Sequence, residues 1–517
     1  MRAAKASPES NGDLLGLNRI PAVVLAAPAS GSGKTTVSTG LMGALRRAGH
    51  RVAPFKVGPD YIDPGYHALA AGRVGRNLDP NLTGAQLVTG LFSAGCAGAD
   101  IAVIEGVMGL FDGRITGTVG PSVAPELADT DPLGVGSTAH VAAILGAPVV
   151  LVVDAAGHSQ SLAALLHGFL GYERSVRIAG VILNRVGSAR HEAVLRQACG
   201  RVGLPVLGVL HRDSRLQVPS RHLGLIPAAE RRVAAVTAVE AMTDIVGGCL
   251  DIPAIVEVAR TRVARPAESG AAESGTGGPW SAENAIAAVR NHGHRSAPAD
   301  RPVIAVAGGA AFTFGYAEHA DMLRAAGAEV ITFDPLTDSL PPATAGVVIG
   351  GGFPEEHAED LAANAPLRAQ IAAHARAGRP IHAECAGLLY LARELDGHPM
   401  TGVLDAVGRF GPTLTLGYRD AVVVSGSVLY AVGERVTGHE FHRSEVLFGN
   451  QPSPAWAWRD NSGRSGVHGV AGGAVHASYL HVHPAAVPGA IVGFVDAAAD
   501  ASGTAPASVT RGPVPPR

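Results

Sequence analysis

The sequence predicts an α/β protein built from two doubly wound domains, and three observations predict it. Short β-branched runs that are apolar throughout alternate with longer amphipathic stretches, the mark of parallel strands buried on both faces. A glycine-rich loop follows the first run and opens a helix. The same β-α-β rhythm restarts at Val303 after an interval of low complexity, and 517 residues suffice for about two to four folding units.

Taken in order, residues 1–19 read as a flexible tail and 20–262 as the first domain. Its strands are expected over 22–26, 101–104, 149–153, 178–183 and 206–209, with helices such as 36–48 and 161–170 between them. Residues 263–301 change to A-R-P-A-E-S-G-A-A-E-S-G-T-G-G-P-W and N-H-G-H-R-S-A-P-A-D-R-P, a mobile linker with one helical patch at 285–289. The second domain, 302–496, starts with the strand V-I-A-V-A. It continues through a helix over 316–326 and strands over 330–333 and 347–349, and 497–517 reads as a tail.

Composition excludes several function classes. Lys and Arg number 41 against 44 Asp and Glu, a net charge of -3, so the basic excess that binds a phosphate backbone is missing and nucleic acid is not expected as partner. The most apolar run, 141–153, is interrupted by Gly146 and Pro148 and falls short of the roughly 20 residues of a spanning helix. No membrane association is expected. The amino terminus lacks the apolar core of a secretory signal, and four cysteines (Cys96, Cys199, Cys249, Cys385) are too widely spaced for a disulfide framework. The expected compartment is the cytoplasm.

The loop A-P-A-S-G-S-G-K-T-T (27–36) supplies what a nucleoside triphosphate needs. Gly31, Ser32 and Gly33 turn backbone N–H groups toward phosphate oxygens, Lys34 offers a point charge to the β- and γ-phosphates, and Thr35 and Thr36 open the helix, with the Thr35 hydroxyl available to Mg²⁺. Pro28 replaces the usual first glycine without touching the cradle. Glu105, in A-V-I-E-G-V-M-G-L-F-D-G, ends the strand that should carry the metal-organising acid. The loop K-V-G-P-D-Y-I-D-P-G-Y-H (56–67) carries Asp60 as a second candidate metal ligand, beside Asp63, and Lys56 and Tyr61 as candidate substrate contacts, because loops at strand carboxyl ends face the ligand crevice. Asn184 follows another buried strand, where an amide edge can read adenine.

In the second domain, G-G-G-F-P-E-E-H (350–357) is a glycine cluster whose Gly351 and Gly352 amides are candidate oxyanion donors. I-H-A-E-C-A-G-L places Cys385 at a strand-to-helix turn between the small residues Ala383 and Gly387. That is a nucleophile elbow, where the helix amino end favours a thiolate. A thiol nucleophile needs a base, and V-H-A-S-Y-L-H-V-H-P offers three histidines. If the segment is one strand, His481 and His483 share a face and His476 takes the other. The upstream G-H-E-F-H-R-S adds Glu440 and His442, for which surface or structural roles serve equally well.

Together these motifs resemble the glutamine-dependent cobyrinic or hydrogenobyrinic acid a,c-diamide synthases of cobalamin biosynthesis, over about 21–494. The resemblance implies a dethiobiotin-synthetase-like P-loop NTPase domain joined to a class I-type glutamine amidotransferase domain. It implies Cys385 as nucleophile and His481, in S-Y-L-H, as the residue that raises its nucleophilicity. The wider class I pattern has a glycine two before the cysteine and an acid shortly after the histidine, where this chain has Ala383 and His483. The stretch 114–136 looks like an insertion in the family core.

The activity so implied is a carbon–nitrogen ligation: ATP with Mg²⁺ phosphorylates a corrin carboxylate, and ammonia from glutamine displaces phosphate at the c and a side chains. The implied partners are ATP, L-glutamine and the corrin, with a homodimer as the oligomer considered. An Ala-, Gly- and Arg-rich composition leans toward the metal-free corrin. Cobyric acid synthases resemble P-F-K-A-Q-N-M where this chain has P-F-K-V-G-P-D-Y, and partitioning ATPases resemble K-G-G-x-G-K-T where it has Ala29 in place of the signature lysine. A cysteine hydrolase with a nucleotide sensor is the third alternative; it would act without ATP.

Overall fold

The computed structural model describes residues 20–114, 132–213, 220–221, 224–263, 280–292, 298, 301–450, 452–459 and 465–502. The expected amino tail 1–19, residues 503–517 of the expected carboxyl tail 497–517, most of the insertion and the low-complexity part of the linker lie outside these residues.

The first domain is a seven-stranded parallel sheet in the order β3-β2-β4-β1-β5-β6-β7. Its strands are β1 (Ala22–Ala26), β2 (Val52–Val57), β3 (Arg76–Leu78), β4 (Ile101–Glu105), β5 (Val149–Asp154), β6 (Ile178–Val186) and β7 (Val206–His211). β1 is buried at every position because helices cover both faces of the sheet. The chain winds out from β1 to β3, returns beside β1 as β4, then leaves through β5 to β7, so the loops after β1, β2 and β4 converge at one edge. That edge is where ligands bind in open α/β sheets. The helix Lys34–Arg47 buries Val37, Leu41 and Leu45, spaced one turn apart, against this sheet. A two-stranded hairpin, β8 (Ser220–Arg221) and β9 (Gly224–Leu225), precedes the helix Arg232–Cys249.

The second domain contains a six-stranded sheet in the order β11-β10-β12-β13-β21-β20, parallel except at its last pair. Here β10 is Val303–Ala307, β11 Glu329–Phe333, β12 Thr344–Ile349 and β13 Ile381–Glu384. A further sheet joins β14 (Glu394–Leu395), β15 (His398–Pro399), the long antiparallel pair β16 (Ala406–Val423) and β17 (Arg435–Phe448), β18 (Trp456–Arg459) and β19 (Ser465–His468). After β20 (Val470–Gly472) and β21 (Val475–Ser478) the chain crosses back to this sheet as β22 (His481–Val482), which pairs with β17.

Two expectations are corrected here. The helix Pro488–Ala501 runs past residue 496, with Ala498 and Ala499 buried, so the first residues of the expected tail belong to the fold. The linker's helical patch is a docked helix, Ala282–Asn291, capped by Ser281 and packed on the helices Ala317–Ala325 and Pro488–Ala501. Burial of Ile286 and the Arg290–Asp496 ion pair at 3.0 Å hold it in place. At the base of the expected insertion, the Arg114 amide donates to the Val135 carbonyl at 2.8 Å.

The two domains share an apolar core: Tyr61, Ile62 and Tyr66 of the first domain cluster with Phe314, Tyr316 and Phe353 of the second. Arg76 bridges the domains to Glu318 at 2.6 Å and Asp321 at 2.8 Å, and the Tyr418 hydroxyl donates to Asp79 at 2.9 Å. The loops carrying the candidate sites therefore meet at a closed boundary.

Candidate active site

At the carboxyl end of β1, Gly33 takes a left-handed conformation, φ 91°, immediately before the helix Lys34–Arg47. Only glycine fits, because a Cβ there would lie 2.3 Å from Asn184 Nδ2. Asn184 is braced against the phosphate loop, its Nδ2 donating to the Ser32 carbonyl at 2.9 Å while its Oδ1 accepts from the Arg185 amide. The adenine-reading edge expected for it is thus largely engaged by the protein. Beside the loop, Pro28, Gly31, Ser32, Asp154, His158 and Leu165 help line a cavity of about 320 Å³.

The acids of this site are packed around a cation. Thr35 Oγ1 donates to Glu105 Oε1 at 2.7 Å and lies 3.2 Å from Asp63 Oδ2, and Lys56 Nζ lies 2.7 Å from Asp63 and 2.8 Å from Glu105. His67 Nε2 meets the other Glu105 oxygen at 2.6 Å. Burial alone would raise the pKa of Glu105, but the Lys56 ammonium and the His67 hydrogen bond outweigh it and hold the carboxyl well below the usual range. For Asp63, burial and the Asp60 charge prevail over Lys56 and push its pKa up to about 7. Lys34 Nζ donates to the Met108 carbonyl, and burial followed by the neighbouring Lys56 charge lowers its pKa to about 8. Thr36 is half-buried in the first helical turn.

Three expectations shift here. Asp60 stands back: its Oδ1 accepts from the Ile62 and Asp63 amides and its Oδ2 is 3.9 Å from Lys56, so Asp63 is the loop acid nearest Thr35. Lys56 is 5 % exposed and enclosed by carboxylates rather than offered to a substrate. Tyr61 is buried at the domain boundary. Its ring stacks on Phe314 at 5.2 Å, its hydroxyl meets that of Tyr316 at 2.8 Å, and its other neighbour is the imidazole of His481 at 4.7 Å. Apolar burial drew it into the domain boundary.

In the second domain Cys385 sits between β13 and the helix Ala386–Leu391 with φ 51° and ψ -105°, a conformation side chains rarely adopt. Its amide donates to the Ser478 carbonyl at 2.7 Å, and the Gly387 amide donates to Gly350 at 3.0 Å, fixing the turn from both sides. His481 is fully buried on β22 opposite His439. Burial would lower the pKa of His481, but its interactions with the Cys385 sulfur and then the Glu384 carboxylate raise it to about 10.

The histidine segment is not one strand: β21 belongs to one sheet and β22 to the other, so alternation does not carry across it. His476 lies near Ser427, His382 and Trp456, and His483 packs on Tyr316 at 4.4 Å with Glu318 at 3.7 Å. Glu440 pairs with Arg419 at 2.8 Å, and His442 stacks on Tyr479. Gly351 is also reassigned. Its amide already donates to the Phe314 carbonyl at 3.0 Å and is not free for an oxyanion. Its lack of a side chain makes room for His481, since a Cβ there would lie 2.5 Å from Cε1 of that ring. Gly352 passes so close to Ala311 that a Cβ would lie 2.1 Å from its carbonyl oxygen, and its amide is the donor left for the oxyanion role.

Sequence reasoning missed His67 and Glu384 as site residues. His67 lay within a quoted loop, one turn beyond Asp63 on the same helix, and Glu384 stood next to the nucleophile. An acid buried at the end of a parallel strand was the available signal in each neighbourhood.

Comparison with known proteins agrees with this two-site arrangement. Residues 23–226 match the CobQ/CobB/MinD/ParA nucleotide binding domain, and 303–487 match the CobB/CobQ-like glutamine amidotransferase domain. The chain is 56 % identical over 481 residues to hydrogenobyrinate a,c-diamide synthase of Mycobacterium tuberculosis, covering 93 % of this chain and 98 % of that one. It is 54 % identical to the enzyme of the same name from Streptomyces coelicolor, covering 92 % and 97 % of the two chains. Identity is 39 % to cobyrinate a,c-diamide synthase of Syntrophotalea carbinolica, with 92 % and 98 % covered. With a nucleotide site and a cysteine–histidine site facing one boundary, and likeness extending over nearly the whole length of these relatives, the chain belongs to the hydrogenobyrinate and cobyrinate a,c-diamide synthase family.

Proposed function

We propose that this ligase amidates the a and c carboxylates of hydrogenobyrinate, using ATP and glutamine, in the cytoplasm. The observation that carries the reading is the joining of the phosphate-loop acids to the Cys385–His481 pair through one loop, 56–67. Higher identity to relatives named for hydrogenobyrinate than to those named for cobyrinate supports the metal-free corrin. Among the described residues no helix is long and apolar enough to cross a membrane, and the four cysteines are unpaired, in keeping with a reducing compartment. A homodimer is the oligomer considered, and the mass in solution tests it.

In this reading Cys385 Sγ attacks the side-chain amide carbonyl of glutamine, His481 passes its proton to the leaving nitrogen, and Gly352 faces the oxyanion. Ammonia leaves, and water cleaves the thioester to glutamate and free thiol. In the first domain the γ-phosphoryl group passes to a corrin carboxylate oxygen with release of ADP, and ammonia displaces phosphate from the acyl carbon to form the amide. Gly31, Ser32, Gly33, Lys34 and Thr36 hold the phosphates, and Asn184 steadies the loop beside the base. Thr35 and Glu105, with Asp63 near them, are the residues that would hold Mg²⁺ beside the phosphates, sharing their oxygens with Lys56. Bound there with ATP, Mg²⁺ would neutralise phosphate charge.

The test is mass spectrometry of hydrogenobyrinic acid, and separately cobyrinic acid, incubated with enzyme, ATP, Mg²⁺ and glutamine, each omitted in turn. Double amidation requiring all components is expected. The Cys385→Ala enzyme should lose glutamine use and keep synthesis with ammonium salts; loss of both would contradict the division of labour.

A further inference from the structure

The class I pattern puts the acid that orients the histidine shortly after it in sequence, and here that position is His483. The side chain of His483 faces Tyr316 and Glu318, away from His481. His481 is nevertheless fully buried, and neither of its ring nitrogens has an aligned hydrogen-bond partner among the described residues. A buried imidazole in that condition is costly unless a partner stands by.

One carboxylate stands by. Glu384, the last residue of β13, places Oε2 3.4 Å from His481 Nδ1. Its Oε1 accepts from the Val482 amide at 3.3 Å and lies 3.4 Å from His382 Nε2. The Glu384 carboxylate is thus held by the backbone next to His481 and backed by a second histidine. With Nδ1 turned to Glu384, Nε2 is the nitrogen available to the thiol. The other groups facing His481 are Cys385, His439 and the apolar ring of Tyr61.

We infer that Glu384 is the positioning residue of the glutamine site: it orients His481 and stabilises its imidazolium from Nδ1, taking the place of the acid missing after the histidine. Catalytic hydrogen bonds are often long before substrate arrives, and the 3.4 Å separation is one that closes with a small rotation of either side chain. The arrangement differs from the class I pattern in a defined way. Acid and nucleophile are consecutive residues, so the turn that strains Cys385 also aims Glu384 at the histidine.

The inference rests on the Cys385–His481 reading, and the experiment separates the two. Glutamine hydrolysis and diamide synthesis are followed in wild-type enzyme and in Cys385→Ala, Glu384→Gln and Glu384→Asp, with glutamine or ammonium chloride as nitrogen source. In Glu384→Gln, kcat for glutamine should fall roughly 10²-fold, the scale of a misdirected general acid–base group. KM for glutamine and ammonium-dependent synthesis should hold, and the alkaline limb of the kcat/KM profile should move to lower pH. Glu384→Asp, which keeps the charge, should recover part of the rate and of the limb. An unmoved limb, an unchanged kcat, or a parallel fall of ammonium-dependent synthesis overturns the role of Glu384. Glutamine hydrolysis surviving in Cys385→Ala overturns the dyad itself. If Glu384→Gln does not fold, the position of the limb in Glu384→Asp decides.

Discussion

The ring of Tyr61, carried by the loop after β2, lies 4.7 Å centroid to centroid from the imidazole of His481 in the other domain. The same stretch sets Lys56 and Asp63 against Thr35 and Glu105, so the eight residues from Lys56 to Asp63 connect the phosphate site to the glutamine site. Removing the ring in Tyr61→Ala should lower glutamine hydrolysis and cost about 3–5 kcal/mol of stability, as for other buried aromatics. Tyr61→Phe, which loses only the hydroxyl contact with Tyr316, should keep most of the hydrolysis. Glutaminase assays without ATP, with thermal melting beside them, check both.

Gly351 leaves the space that His481 fills. In Gly351→Ala the new methyl would lie 2.5 Å from Cε1 of that ring, and overpacking of about 1–3 kcal/mol placed on the barrier corresponds to roughly a 5- to 160-fold loss of glutamine-dependent rate. Ammonium-dependent synthesis should survive. Steady-state assays with the two nitrogen sources compare them directly.

The protonation of His481 predicts a pH dependence. Its folded-state pKa of about 10 lies above the unfolded value of 6.5, so its contribution to stability is complete below about 6.5 and is lost as pH rises through about 10. The imidazolium needed to protonate the leaving ammonia is lost over the same upper range. We expect kcat/KM for glutamine to be level from neutral pH to about 9 on this group's account and to fall on passing 10. A fall centred near 6.5 would show that the histidine titrates as an ordinary exposed one.

Lys56 is the counter-ion of two buried acids. Lys56→Met should leave Glu105 and Asp63 under-compensated, a loss of about 3–5 kcal/mol when a buried pair is broken on one side. Urea denaturation should show the lowered midpoint, and ATP-dependent amidation should disappear because the acids no longer hold their geometry.

Much of the fold was legible because strands of parallel sheets buried on both faces, such as A-V-V-L-A, cannot be anything but continuous apolar runs. The phosphate loop and the Cys385 turn were legible because glycines and small residues must stand at fixed places around them. The long pair β16 and β17 was not: Phe410, Leu416 and Leu447 are partly exposed while polar residues on the same strands are buried, which blurs the two-residue period. The packing of Tyr61 on Phe314 and His481 is not legible, because what an aromatic meets across a domain boundary leaves no local trace. Glu384 was hidden by the prominence of its neighbour. The class I pattern puts that acid after the histidine, whereas folding brings Glu384 to His481 from the end of β13.

The docked helix Ala282–Asn291 bears on how this chain can be divided. It packs chiefly on helices of the second domain, and Arg290 reaches Asp496, whereas Trp280, just ahead of the helix, sits against Gly90 of the first domain. A gene cut after residue 292 would strand an amphipathic helix on the wrong fragment with its docking surface missing. A cut made ahead of Trp280 would keep the helix with its partners, and two co-expressed halves made that way have the surfaces they need to reassemble.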